Sequence, residues 1–144
     1  MTDLLIVCSP GGHFSEAIKL VKDLKNVNYI FITHDVNSKD VYRNTLVAPH
    51  INRDWRLILQ IIYAFRIIRK ERPKIILSTG SSIAVSFFLV AKFMRIKTIY
   101  VESPTRIYNP SLTAKIVKFL ASRMYVRHPK LLNKLPHAIY IKGN

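Results

Sequence analysis

The first thirty-three residues constrain the fold more than any other stretch. Leu4–Cys8 is a short run of uninterrupted apolar residues, the pattern of a strand buried on both faces of a parallel sheet. It breaks at Ser9-Pro10-Gly11-Gly12-His13. A helix is expected over Phe14–Leu24, where Ala17, Ile18, Leu20, Val21 and Leu24 recur at helical spacing opposite Lys19, Lys22 and Asp23. Tyr29–Thr33 then reads as a second strand. Strand, glycine-rich turn, helix and strand make a βαβ unit, which predicts a parallel sheet with right-handed crossovers.

The rest of the chain extends that pattern. His34 to Asn52 reads as polar and irregular, with a short helix around Asp40–Asn44. Trp55 to Lys70 reads as a long helix, with Asp54 near its start and Arg66, Arg69 and Lys70 toward its end, both favourable to the helix dipole, and Pro73 stops it. Ile75–Ser78 is a third strand, Thr79-Gly80-Ser81-Ser82 a second small-residue turn, Ile83–Met94 an apolar helix and Lys97–Val101 a fourth strand. After the Glu102–Arg106 loop, a helix is expected from Pro110 through Ser122, with proline where its missing N–H costs nothing. Met124–Val126 and Ala138–Ile141 are short closing strands. The expected class is α/β, a Rossmann-like parallel sheet with helices on both faces, and 144 residues suffice for one domain and not two.

The turns carry the chemistry. In doubly wound sheets, ligands bind beyond the carboxyl ends of the strands, where helix N-termini present unpaired N–H groups to anions. Gly11 and Gly12 let the backbone approach a ligand closely. His13 stands at the mouth, and Glu16, one helical turn along, is spaced to orient or charge its imidazole. Glycine also serves any βα turn, and a histidine at a helix start also caps it or faces solvent. Gly80 and Ser81 repeat the small-residue arrangement, as an anion cradle or a plain N-cap. Glu102 is a candidate base or hydroxyl binder and Arg106 a bidentate phosphate partner, unless the two pair internally. No G-x-G-x-x-G is present, so a dinucleotide site is not expected. The single cysteine, Cys8, excludes an internal disulfide, and with no Asp-x-Asp sequence no bound metal is expected.

Charge narrows the partners. Lys and Arg number 23 against 8 Asp and Glu, a formal +15, which draws in nucleic acid, anionic lipid or phosphorylated substrates, or an acidic partner chain. The basic residues are scattered and no helix-turn-helix, zinc-finger or aromatic RNA-binding signature appears, so nucleic acid is not the expected partner. The Trp55–Lys70 helix is too short and too interrupted by arginine to span a bilayer. Its wide apolar face of Trp55, Ile58, Leu59, Ile61, Ile62, Phe65 and Ile68, with Arg56, Gln60, Arg66 and Arg69 opposite, fits either a core helix or one lying in the headgroup region. On the second reading Trp55, Ile58, Ile62 and Phe65 face the membrane. The apolar opening ends at Pro10, so no signal peptide is expected and the chain is placed on the cytoplasmic side.

Four segments in order resemble the CpsF/PssD-type polysaccharide biosynthesis proteins: Ser9-Pro10-Gly11-Gly12-His13-Phe14-Ser15-Glu16, Ile76-Leu77-Ser78-Thr79-Gly80-Ser81, Ile99-Tyr100-Val101-Glu102-Ser103-Pro104-Thr105-Arg106 and Pro110-Ser111-Leu112-Thr113. These are bacterial relatives of the membrane-recruiting subunit of the eukaryotic two-part N-acetylglucosaminyltransferase of asparagine-linked glycosylation. The pattern is also similar to the N-terminal half of the peptidoglycan lipid-linked N-acetylglucosaminyltransferase. The resemblance implies an acceptor-side GT-B half, active with a separate donor-binding subunit that holds most of a UDP-sugar. The acceptor it implies is a polyprenyl-diphosphate-linked saccharide in capsular or exopolysaccharide synthesis. It maps Gly11, Gly12, His13 and Glu16 to the loop near the acceptor diphosphate, Gly80 and Ser81 to a second glycine turn, and Glu102, Thr105 and Arg106 to a third loop. Sugar transfer to a hydroxyl needs a general base, for which His13 or Glu102 is the catalytic candidate. Ser86 departs from it, standing where bacterial versions often have proline. The membrane anchor that opens the eukaryotic subunit has no counterpart in this sequence, which implies peripheral attachment to an anionic membrane.

Overall fold

The structure, a computed structural model, describes residues 1–34, 44–49, 55 and 57–142. Among them seven strands form one sheet: β1 (Leu4–Cys8), β2 (Tyr29–Thr33), β3 (Thr45–Val47), β4 (Ile75–Gly80), β5 (Lys97–Val101), β6 (Arg123–Val126) and β7 (Ile139–Tyr140). Their order is β3-β2-β1-β4-β5-β6-β7, and every neighbouring pair is parallel. Helices α1 (Gly12–Val21), α2 (Leu57–Glu71), α3 (Ser82–Phe93) and α4 (Leu112–Val117), with a 3₁₀ turn at Pro129–Asn133, make the crossovers.

The uninterrupted apolar run of β1 is explained by its central place, for all five of its residues are buried. Leu5 and Val7 point to the face covered by α2, α3 and α4, and pack with Phe87, Phe88 and Tyr100. Leu4, Ile6 and Cys8 point to the opposite face, covered by α1, with Phe14, Val21 and Phe31. Each fully buried phenylalanine adds about 1.5–3 kcal/mol, so the two layers pin the sheet from both sides.

Three elements differ from the sequence reading. β3 lies within the stretch read as irregular, because a three-residue edge strand carries too little periodicity to register. The helix expected from Pro110 to Ser122 runs only from Leu112 to Val117. Its N-cap is Ser111, whose Oγ accepts the Ala114 N–H at 3.0 Å, and Pro110 precedes the cap. The helix ends early because Ser122 is drawn onto β5, its N–H donating to the Thr98 carbonyl at 3.1 Å. The 3₁₀ turn was not anticipated. Residues 40–43 of the expected Asp40–Asn44 helix, together with Asp54 and Arg56, lie outside the described residues.

Helix α2 is built inside out. Its buried row is Gln60, Ala64 and Ile68, four residues apart and thus one above another. Ser86 of α3 donates to Gln60 Oε1 at 2.9 Å. The larger apolar residues face away: Ile58 is 61% exposed, Leu59, Ile62 and Phe65 are exposed, and Trp55 just before the helix is 73% exposed. Of the seven apolar residues read as one face, Ile68 is buried and Ile61 half-buried. No described helix is long and apolar enough to cross a membrane.

Candidate functional site

Connections leave β1 toward β2 on one side and reach β4 on the other, so the carboxyl ends of β1 and β4 flank the topological switch point of the sheet. There the register slips between Val7 and Cys8, which pairs with Gly80. A cavity of about 580 Å³ opens above this point, lined by Ser9, Gly12, His13, His34, Gly80, Ser81, Ser82, Glu102, Ser103, Thr105, Arg106, Ser111, Leu112 and Thr113. The three turns singled out in the sequence therefore meet in one crevice.

The α1 end is built around His13. Gly11 caps the helix at φ 82 with no side-chain cap, a backbone that favours glycine, so the first N–H groups of α1 stay open to an anion. His13 Nδ1 lies 2.8 Å from the Thr79 carbonyl oxygen. A carbonyl can only accept, so Nδ1 carries the proton and donates, which leaves Nε2 as the basic nitrogen of the neutral ring. Thr79 Oγ1 returns a bond to the His13 carbonyl at 2.7 Å, and the pair ties the first turn of α1 to the end of β4.

Gly80 is required by that packing. Its φ is +122, and a Cβ there would stand 2.5 Å from His13 Cε1 and 2.7 Å from Nδ1. Ser81 follows at φ 145, ψ 153, a region held almost only by glycine and costing about 1–3 kcal/mol. It keeps serine because its Oγ accepts the Ile83 N–H at 3.4 Å, capping α3. Gly12 differs from both: a Cβ there meets nothing within 4 Å, so no neighbour in the chain demands glycine at that point.

The third turn hangs on Glu102. Its side chain is fully buried; Oε1 accepts the Ser103 N–H at 2.9 Å and Oε2 the Ser111 N–H at 2.8 Å. The carboxylate thus clasps both ends of the loop. The Tyr100 hydroxyl lies 3.2 Å from Ser111 Oγ beneath it, and burial, with the Glu102 charge second, holds its phenol above the ordinary tyrosine range. Thr105 Oγ1 bonds Ser103 Oγ at 2.9 Å. Arg106 is exposed along the cavity and makes no ion pair with Glu102 among the described residues.

Glu16 belongs elsewhere. Its Oε1 lies 2.6 Å from Arg127 Nη2, with both side chains nearly buried, and it lines a separate hollow with Lys19, Pro104 and Arg127. The Thr79 carbonyl, not Glu16, orients His13. Sequence reasoning missed that pairing because Arg127 lies 111 residues away. It also missed His34, although His34 directly follows β2 and the rule that favoured the other strand ends points to it as well.

The fold is a Rossmann-like parallel sheet that corresponds to the N-terminal half of a GT-B architecture. MurG of Acinetobacter baumannii superposes with a TM-score of 0.75 at 13% identity, over 89% of this chain and 42% of that one. The chain thus spans about two fifths of that solved structure. The family described as "Oligosaccharide biosynthesis protein Alg14 like" matches residues 47–143, and the chain belongs to it. The UDP-N-acetylglucosamine transferase subunit ALG14 of Yarrowia lipolytica is 24% identical over 95% of this chain and 78% of its own length. The UDP-N-acetylglucosamine–N-acetylmuramyl-(pentapeptide) pyrophosphoryl-undecaprenol N-acetylglucosamine transferase of Staphylococcus aureus is 29% identical over 69% of this chain and 24% of its own.

Proposed function

We propose that residues 1–144 form a single acceptor-side half of a two-chain glycosyltransferase at the cytoplasmic face of a membrane. The observation that carries this reading is the convergence of His13, the Gly80–Ser81 turn and Arg106 on one crevice at the sheet's switch point. The names of the relatives, a UDP-N-acetylglucosamine transferase subunit and a pyrophosphoryl-undecaprenol transferase, support a UDP-sugar donor and a polyprenyl-diphosphate-linked saccharide as acceptor. A separate subunit holds most of the UDP-sugar; this chain recruits and activates it. Capsular or exopolysaccharide assembly is the setting that the motifs favour.

In this reading the open N–H groups of α1, the Gly80–Ser81 turn and Arg106 hold the acceptor diphosphate, with Thr105 beside them. The acceptor hydroxyl oxygen attacks the anomeric carbon of the donor sugar. The new C–O bond forms as the bond to UDP breaks, UDP leaves with the electron pair, and the hydroxyl proton passes to His13 Nε2. Glu102 serves by holding the loop that carries Arg106. Trp55, Ile58, Ile62 and Phe65 rest in the headgroup region of the membrane.

The test is co-expression with a donor-binding glycosyltransferase chain. Radiolabelled UDP-N-acetylglucosamine, UDP-glucose and UDP-galactose are then each supplied with a polyprenyl-diphosphate saccharide. Label should enter lipid only with both chains present and fall sharply in His13→Ala. Turnover by this chain alone, or a pair inert with all three donors, would sink the reading.

A further inference from the structure

From Arg72 to the end of the sequence thirteen Lys and Arg residues stand against one acidic side chain, Glu102. That carboxylate is fully buried at the cleft. Five of the cations gather around one exposed aromatic elsewhere. Phe119, just past α4, is 70% exposed and stands between two hollows. One is lined by Lys92, Arg95 and Lys97, the other by Lys118, Arg123 and His137. Lys92 Nζ donates to the Phe119 carbonyl at 2.7 Å, and Lys118 Nζ sits 4.9 Å from the centre of its ring. Phe93, beside Lys92 at the end of α3, is 83% exposed.

Crossover helices in a parallel sheet run against the strands. The ends of α3 and α4 therefore meet at the amino ends of the strands, where Lys97 opens β5 and Arg123 opens β6. Trp55 and the first turn of α2 stand at the other end, toward the carboxyl ends of the strands. Cations in the last turn of a helix complement its dipole, which accounts for Lys92. It accounts neither for Lys97 and Arg123, which lie on strands, nor for two phenyl rings left in water. Bare aromatics inside an all-cationic ring suit a bilayer surface, where rings enter the acyl boundary and ammonium groups meet lipid phosphates.

We infer that the Phe93–Phe119 rim is a second bilayer contact, which inserts both rings and takes anionic phospholipid headgroups on Lys92, Arg95, Lys97, Lys118 and Arg123. The inference rests on the membrane reading of α2 and adds an orientation to it. Contacts at both ends of the helical layer lay the strands along the bilayer, so that the cleft opens sideways over the headgroups.

Flotation of the full chain with phosphatidylcholine vesicles, with and without phosphatidylglycerol, tests this. Wild type should bind the anionic vesicles. At about 1 kcal/mol per cation near an anionic surface, roughly fivefold each, Lys97→Gln/Lys118→Gln/Arg123→Gln should weaken binding about a hundredfold. Phe93→Ser/Phe119→Ser should also release the chain, with its melting temperature unchanged because both rings are exposed. Flotation of either variant like wild type overturns the rim. So does wild-type retention on single-stranded nucleic acid through these residues without vesicle binding. Ile58→Ser/Ile62→Ser reads the α2 contact separately. Sugar transfer in detergent with the partner chain reads the enzyme: rim variants that leave the vesicles while wild type shows no transfer uphold the rim and sink the glycosyltransferase reading.

Discussion

Gly80→Ala puts the architecture of the crevice under direct strain. The new Cβ would lie 2.5 Å from His13 Cε1 and 2.7 Å from Nδ1, at a φ of +122. The imidazole belongs to a side chain and can swing away, so the cost has two parts. Holding alanine in this region of backbone space costs about 1–3 kcal/mol. Losing the Nδ1–Thr79 bond costs about 1 kcal/mol, for about 2–4 kcal/mol in all. At about 4 °C per kcal/mol for a chain near this size, the melting temperature should fall by roughly 8–16 °C. On the proposed mechanism the displaced ring also removes the base, worth about 10²–10⁴ in rate. Circular-dichroism melts and sugar transfer with the partner chain measure the two effects. A double-mutant cycle separates them: in a His13→Ala background the same change should cost only the backbone part, a coupling of about 1 kcal/mol. Unchanged stability in Gly80→Ala, or strict additivity with His13→Ala, would refute the placement of His13 on Gly80.

Gly12→Ala should act the opposite way. Its Cβ meets nothing in the chain and alanine suits a helix better by about 0.5–1 kcal/mol, so the protein should melt higher while the acceptor KM rises; an unchanged KM places the acceptor elsewhere. Glu16→Gln leaves Arg127 without its carboxylate and should cost about 3 kcal/mol in a urea titration, with transfer per folded molecule unchanged. A fall in kcat at wild-type stability would return Glu16 to His13. Burial pushes the Cys8 thiol from its ordinary 9.0 up to about 12, so a disulfide reagent at neutral pH should label it only in denaturant. Because the folded value is raised, its contribution to stability is complete below pH 9.0 and is lost toward pH 12, at about 1.4 kcal/mol per pH unit as the unfolded thiol ionises first.

What the sequence disclosed and what it withheld follow from the range of each signal. The βαβ opening is legible because apolar run, glycine turn and helical spacing are local, and the rule that ligands gather at strand ends brings the three turns together from the sequence alone. The partners of the charged residues were not legible. Glu16 faces Arg127 and Glu102 closes a loop on Ser111 because of tertiary placement, which spacing along one helix does not encode. The outer face of α2 was ambiguous for a related reason. Periodicity measures the width of an apolar stripe but not which stripe meets the sheet, and here small Ala64 and hydrogen-bonded Gln60 turn inward while the larger residues turn out.

The distribution of charge bears on what the +15 is for. Among the described residues only one Lys or Arg, Arg106, lines the crevice, although the chain carries 23. A diphosphate bound there meets one guanidinium and the uncapped N–H groups of α1, short-range fixed dipoles that neighbouring protein shields from salt. The other described cations lie outside the crevice, where their attraction for an anionic surface decays over about 8 Å at physiological ionic strength. On the proposed function, charge and site divide the work, the field bringing the chain to the membrane and the backbone dipoles choosing the phosphate. The two should separate under salt. Raising NaCl from low to physiological strength and beyond should strip the chain from phosphatidylglycerol vesicles steeply, while the acceptor KM of the assembled enzyme, measured in detergent, changes little. If KM instead rises in step with vesicle release, the acceptor is held by the exposed cations and the α1 end of the crevice is not its site.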